Sequence, residues 1–195
     1  MPHTLHDVRD AKIVTSSDSL VRGSLFGRPL AGSATEEQAE KAMKIWVDAD
    51  ASPRDVKDII ARAALRLELE TKLVANHRLQ TPANNPFVTA VRVEGGPDVA
   101  DDHIAEQAEP GDLAITADIP LAARLVAKGV STIDPRGPEY TEENIRERLS
   151  VRDFMDQLRS TGIQTGGPDA FGPKEKQAFA ASLDRVLTRL LRNNR

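Results

Sequence analysis

From Met43 onward the chain alternates short apolar runs with helical patterns, and this alternation limits the possible folds more than any other feature of its 195 residues. Residues 44–48 (KIWVD) read as a strand, and a helical pattern runs from 53 to about 67. Ser52 is the expected N-cap and Pro53 the first helical residue, while Ile59, Ile60, Ala63, Ala64 and Leu67 recur on one face. Residues 71–75 (TKLVA) and 88–93 (VTAVRV) predict the second and third strands, and 101–108 a short helix. A fourth strand at 113–116 (LAIT), a helix over 119–127 ended by Gly129, and a fifth strand at 130–133 complete the pattern. Strands separated by helices of this length call for crossover connections and a parallel sheet covered on both faces. The expected fold class is therefore α/β, a three-layer parallel sheet flanked by helices.

The last third changes character. Thr141 caps a predicted helix over 141–149, with Glu142 and Glu143 in its favourable first turn. Ser150 and Asp153 predict a fresh start for a second helix through Arg159, which Gly162 stops. After a loop with Gly166, Gly167, Pro168, Gly172 and Pro173, a last amphipathic helix presents Phe179, Leu183, Val186, Leu187 and Leu190. The core at 43–195 thus carries a helical C-terminal annex from about 141. Residues 1–42 show no sustained apolar period and read as a flexible N-terminal extension; the competing reading is a small lid or added strand from 11–14 and 20–25.

The chain has no cysteine, which excludes a disulfide framework, a thiolate zinc site, an iron–sulfur cluster and a cysteine nucleophile. Its apolar runs fall far short of the roughly 20 residues of a membrane-spanning helix, and the N-terminus lacks the apolar stretch of a secretory signal. A cytoplasmic protein without a membrane partner is expected. Residues 44–140 hold 11 basic and 16 acidic side chains, whereas 141–195 hold 10 and 8. That balance does not suit a DNA-coating protein; it suits a carboxylate pocket for metal ions, or plain solvated acidic faces.

Parallel sheets bind ligands at the carboxyl ends of their strands, where strand order reverses. The first strand ends in Asp48-Ala49-Asp50 and the fourth in Thr116-Ala117-Asp118, while Asp98, Asp101 and Asp102 precede the fourth. If those two strands are neighbours, Asp48 and Asp118 converge, with an acid of the intervening helix beside them. Clustered carboxylates repel unless a cation or a proton joins them, and Mg²⁺ or Mn²⁺ is the expected cofactor. Such a site activates water and stabilises charge building up on a phosphate. For each acid alone, a capping or surface role competes: Asp118 for the helix after it, Asp50 for the turn before Ser52.

The segments KIWVDADASP, LVAN, DVADDHIAEQAEPGDLAITADIPLA, DPRG, RDFMDQLR and GIQTGGPDAF, in one order, resemble the YaiI/YqxD family of bacterial proteins over about residues 43–191. That family is similar to the PIN-like group, whose characterised members are mostly Mg²⁺/Mn²⁺-dependent ribonucleases. The resemblance implies Asp48 as the strand-one acid, Asp118 as the strand-four acid, and Asp101 rather than Asp102 as the helix acid, because the family's DxAD pattern stops at Asp101. It offers Asp55 and Asp58 only as weak candidates for a further acid. Family members usually read DADACP where this chain has Ser52, so any role of that cysteine is missing here.

The expected catalytic set is Asp48, Asp50, Asp101 and Asp118. Asp48, Asp101 and Asp118 are the metal ligands, with Asp50 as an outer ligand or water-orienting base. Asn76, Thr116 and Arg136 are the substrate-binding candidates, against a turn, a plain strand position and an exposed turn arginine. His77 and His103 lack metal-ligand spacing, and Trp46 reads as core. The expected function is divalent-metal-dependent hydrolysis of phosphodiesters, with RNA as the expected partner and Arg146, Arg148, Arg152, Arg159, Arg185, Arg189 and Arg192 as its track. A non-catalytic RNA- or protein-binding module is the alternative, and an aspartate-nucleophile phosphatase, suggested by Asp48-x-Asp50, a more distant one. The apolar annex faces would equally serve a homodimer.

Overall fold

The computed structural model describes residues 42–96, 98–162 and 170–193. The predicted extension at 1–42 and the Gly166-Gly167-Pro168 loop lie outside the described residues, Ala42 excepted.

Strands β1 (Ile45–Asp48), β2 (Thr71–Ala75), β3 (Val88–Arg92), β4 (Leu113–Ile115), β5 (Ser131–Ile133) and β6 (Glu139–Tyr140) form one sheet in the order β3-β2-β1-β4-β5-β6. All neighbours run parallel except β5 and β6. The helices are α1 (Arg54–Leu67), α2 (Val99–Gln107), α3 (Ile119–Ala127), α4 (Glu142–Ser160) and α5 (Pro173–Asn193). The expected α/β class with a helical C-terminal annex is what the chain forms.

Side-chain alternation along the strands separates two cores. Ile45 and Val47 of β1, with Leu73, Leu113, Ile115 and Ile133, pack against Val56, Ile60, Ala63 and Ala64 of α1 and Phe179, Leu183, Val186 and Leu187 of α5. Trp46, Val74 and Ala114 point to the other face, against Ile104 of α2 and Leu121 and Leu125 of α3. α4 extends this second side, where Ile145 packs with Ala122 and Tyr140. Asp48 and Thr116 share the parity of Trp46 and Ala114, so both side chains fall on the α2–α3 side.

Three local expectations are corrected. Ser52 does not cap α1: Pro53 occupies the cap position without a side-chain bond, and the buried Ser52 hydroxyl has no partner among the described residues. The two predicted annex helices are one, because no glycine or proline interrupts 142–160 and the Ser150 hydroxyl donates back to the Arg146 carbonyl at 3.1 Å instead of starting a new helix. The Thr141 cap is present, with Asn144 completing a reciprocal box. The strand β6 was not anticipated, since two residues carry no periodicity. It is set by a tight turn at 134–138, where Gly137, at φ 108°, lies so close to α5 that a Cβ would stand 2.8 Å from the Ala178 carbonyl carbon.

Candidate functional site

Strand order reverses between β1 and β4: from β1 the chain first builds outward through β2 and β3, then returns to the other side as β4. At the carboxyl ends of these two strands an open cleft of about 400 Å³ is lined by Asp48, Asp50, Ala51, Asn76, Gly96, Asp98, Ala100, Asp101 and Asp118. β1 delivers Asp48 as its last residue. α3 begins at the cleft with Asp118 as its cap, Asp118 Oδ1 accepting from the Leu121 amide at 2.8 Å. α2 brings Asp101 in its first turn.

Asp48 is only 4% exposed. Its Oδ1 accepts from the Ala51 amide at 3.2 Å and its Oδ2 from the Thr116 hydroxyl at 2.9 Å. The same Thr116 oxygen accepts from the Asp118 amide at 2.9 Å, so one hydroxyl ties the two strand-end acids together. Burial raises the Asp48 carboxyl above its ordinary range, with the charges of Asp50 and Asp118 adding to the rise and the Thr116 bond opposing it. Asp101 is pushed up to about 6, first by burial and then by the negative charges of Asp48, Asp118 and Asp98. These acids therefore sense one another across a shared space.

The rim is built differently. Asp50 Oδ2 accepts from the Asn76 amide at 3.1 Å, and Asp50 Oδ1 stands 2.8 Å from His77 Nδ1. His77, which sequence spacing dismissed as a metal ligand, is thus held beside the acids by a carboxylate from the next strand. Adjacency to LVAN was the only sequence signal for it. Asp98, also on the cleft, adopts φ 61° at the start of α2, a left-handed conformation that aspartate tolerates better than most residues.

Other expectations separate from the site. Thr116, expected to bind substrate, is 1% exposed, and its hydroxyl is engaged by Asp48 and by the Asp118 amide. Arg136 is not on the cleft wall; its charge acts on Glu175 at the start of α5. Asp102 pairs with Arg124 on the surface at 2.7 Å, and Asp55 faces Lys176 at 3.4 Å. The arginines proposed as one track sit on α4 and α5, which pack on opposite sides of the sheet. Arg148 lies over the Tyr140 ring, Arg189 pairs with Glu139, and Arg152 and Arg159 flank Asp156.

The carboxylate oxygens are hard donors suited to Mg²⁺ or Mn²⁺, and their mutual repulsion is the condition a dication relieves. Among the described residues, however, no group of three His, Cys, Asp or Glu forms a ready-made cage. Mg²⁺ is commonly held by one or two carboxylates with the rest of its shell water, and this donor set fits that requirement.

A parallel sheet with acids at its switch point defines the class; comparison with known sequences narrows it. The model of the family described as "Uncharacterized BCR, YaiI/YqxD family" matches residues 46–189. The chain is 59% identical over 150 residues to a UPF0178 protein of Myxococcus xanthus, covering 77% of this chain and 97% of that one. A UPF0178 protein of Trichlorobacter lovleyi is 58% identical over 150 residues, with the same shares; one of Shewanella loihica is 54% identical over 147, covering 75% and 97%. The chain belongs to the YaiI/YqxD family. No helix among the described residues is long and apolar enough to cross a membrane.

Proposed function

We propose that the chain is a divalent-metal-dependent phosphodiesterase acting on RNA, with Mg²⁺ or Mn²⁺ held among Asp48, Asp101 and Asp118, one or two of them directly and the rest through its water shell. The observation that supports this reading is the convergence of these three acids on one open cleft at the β1–β4 switch point, where the charges of Asp48 and Asp118 help to push the Asp101 carboxyl up. A bound cation there would polarise the phosphate and lower the cost of forming hydroxide. Thr116 fixes the direction of Asp48. Asp118 is fixed by its cap bond to α3, and among the described residues the Asp101 carboxylate makes no hydrogen bond or ion pair. Asp50, held between the Asn76 amide and His77, stands on the rim of the cleft and is assigned to that pair and not to the ligand set in this reading.

A phosphatase that attacks through Asp48 is disfavoured by geometry. That carboxylate is almost wholly buried, which leaves less room for the in-line approach of a phosphorus centre than for a small bare cation.

The test is cleavage of single-stranded and structured RNA by the purified protein with Mn²⁺ or Mg²⁺, alongside Asp48→Asn and Asp118→Asn. Asparagine retains the helix-capping oxygen at 118, so loss of activity there reports on charge and not on folding. Cleavage abolished in both variants and by chelator supports the reading. Wild-type protein without cleavage and without a metal-induced thermal shift moves the function to a non-catalytic binding module.

A further inference from the structure

His77 and Asp50 form a pair that metal binding does not account for. The imidazole Nδ1 lies 2.8 Å from Asp50 Oδ1, and Asp50 is itself anchored through Oδ2 by the Asn76 amide. The carboxylate comes from the end of β1 and the histidine from the segment after β2, so two neighbouring strands hold them together. A carboxylate accepting at Nδ1 fixes that nitrogen as the protonated one and turns Nε2 outward as the working atom. Among the described residues Nε2 has no partner, and the His77 side chain is 57% exposed. An oriented imidazole with a free nitrogen, next to a cleft of acids, is the arrangement used for proton transfer.

We propose that His77 is a catalytic general acid for the phosphodiester cleavage described above, protonating the leaving oxygen, and that Asp50 is its positioning residue. This rests on the hydrolytic reading and adds the substrate class: an unactivated diester whose alkoxide cannot leave without a proton. Through the dication that they would hold, Asp48 and its neighbours would place the reacting phosphate at the cleft, while a polynucleotide has to leave over the rim where His77 stands. The oxygen of a water molecule forms the new bond to phosphorus, and the proton it sheds passes to solvent. The bond from phosphorus to the leaving oxygen breaks with its electron pair going to that oxygen. The Nε2 proton of the imidazolium moves to it, giving the alcohol. His77 is left neutral and takes a proton back from solvent, so the balance is one diester and one water converted to a monoester and an alcohol.

The experiment compares RNA oligonucleotides of one sequence, with oxygen or with sulfur at the 3′- or 5′-bridging position of a single linkage. A thiolate leaves without protonation. With Mn²⁺, His77→Ala and His77→Gln are expected to cut cleavage of the oxygen linkage by about 10²-fold or more, and cleavage of the sulfur linkage at the bond that breaks by no more than about fivefold. Asp50→Asn is expected to show the same dependence with a smaller loss. Equal losses on oxygen and sulfur overturn the general-acid role and leave the hydrolytic reading standing. Absence of metal-dependent cleavage of every oligonucleotide by the wild type overturns both.

Discussion

The Thr116 hydroxyl donates a 2.9 Å hydrogen bond to Asp48 Oδ2 and so joins the ends of β4 and β1 where the strand order reverses. Both residues are buried, which makes the bond matter for the fold as well as the site. Thr116→Val preserves shape but leaves the Asp48 oxygen and the Asp118 amide without their partner. A buried polar group left unpaired costs about 1–3 kcal/mol. Urea unfolding at pH 7 is expected to show a loss in this range for Thr116→Val, and a much smaller one for Thr116→Ser.

Ser52 offers the opposite case. Its hydroxyl is buried without a partner, so Ser52→Ala removes an unsatisfied group instead of a bond. The expected change is neutral to stabilising, up to about 1 kcal/mol, measured as the urea midpoint. A destabilisation of about 1 kcal/mol would mean that Ser52 caps α1 after all.

Asp101 makes stability depend on pH. Its carboxyl is pushed up to about 6 in the fold, above the ordinary aspartate range of about 4, so the folded chain binds this proton more tightly than the unfolded chain. The stabilising contribution is complete below about pH 4 and is lost as pH rises through 6. Relative to Asp101→Asn, which has no charge to repel, the wild type is expected to be less stable at pH 7. Solvent screening in the open cleft holds the difference to about 1 kcal/mol, and it should close by about pH 4. Thermal melts of both proteins across this range, without added metal, read the effect directly.

Gly137 tests the attachment of α5. At φ 108° and with the Ala178 backbone 2.8 Å from an added Cβ, it admits no side chain. Gly137→Ala is expected to destabilise by roughly 3 kcal/mol through strain and overlap. A loss below about 0.5 kcal/mol would show that the β5–β6 turn can move away from the helix.

The α/β class was legible because strand and helix periods alternate cleanly from β1 to β5, and the α5 core stripe because its apolar residues recur at helical spacing. Short-range signals were less decisive. Ser150 resembles a cap in the sequence, but the hydroxyl finds the carbonyl one turn back and α4 runs on. Ser52 precedes a proline in the favoured order, yet the chain turns it inward. Among the acids, position relative to the strands drew attention to Asp48 and Asp118, which line the cleft. Sequence could not set apart Asp112, another buried acid just before β4. Its carboxylate accepts from the Trp46 indole at 2.9 Å and from the Lys44 and Glu109 amides, a wholly structural task at the other end of the sheet. The His77–Asp50 pair was illegible for a different reason: it joins residues just beyond the ends of two neighbouring strands, and no spacing rule spans that distance.

The most direct test of the central claim is Mn²⁺ titration of the wild type and of Asp48→Asn, Asp101→Asn and Asp118→Asn, followed by electron paramagnetic resonance of the free ion. The account predicts saturable binding by the wild type and at least a tenfold weaker affinity in each folded variant. Binding unchanged in all three, or no saturable binding by the wild type, would contradict it.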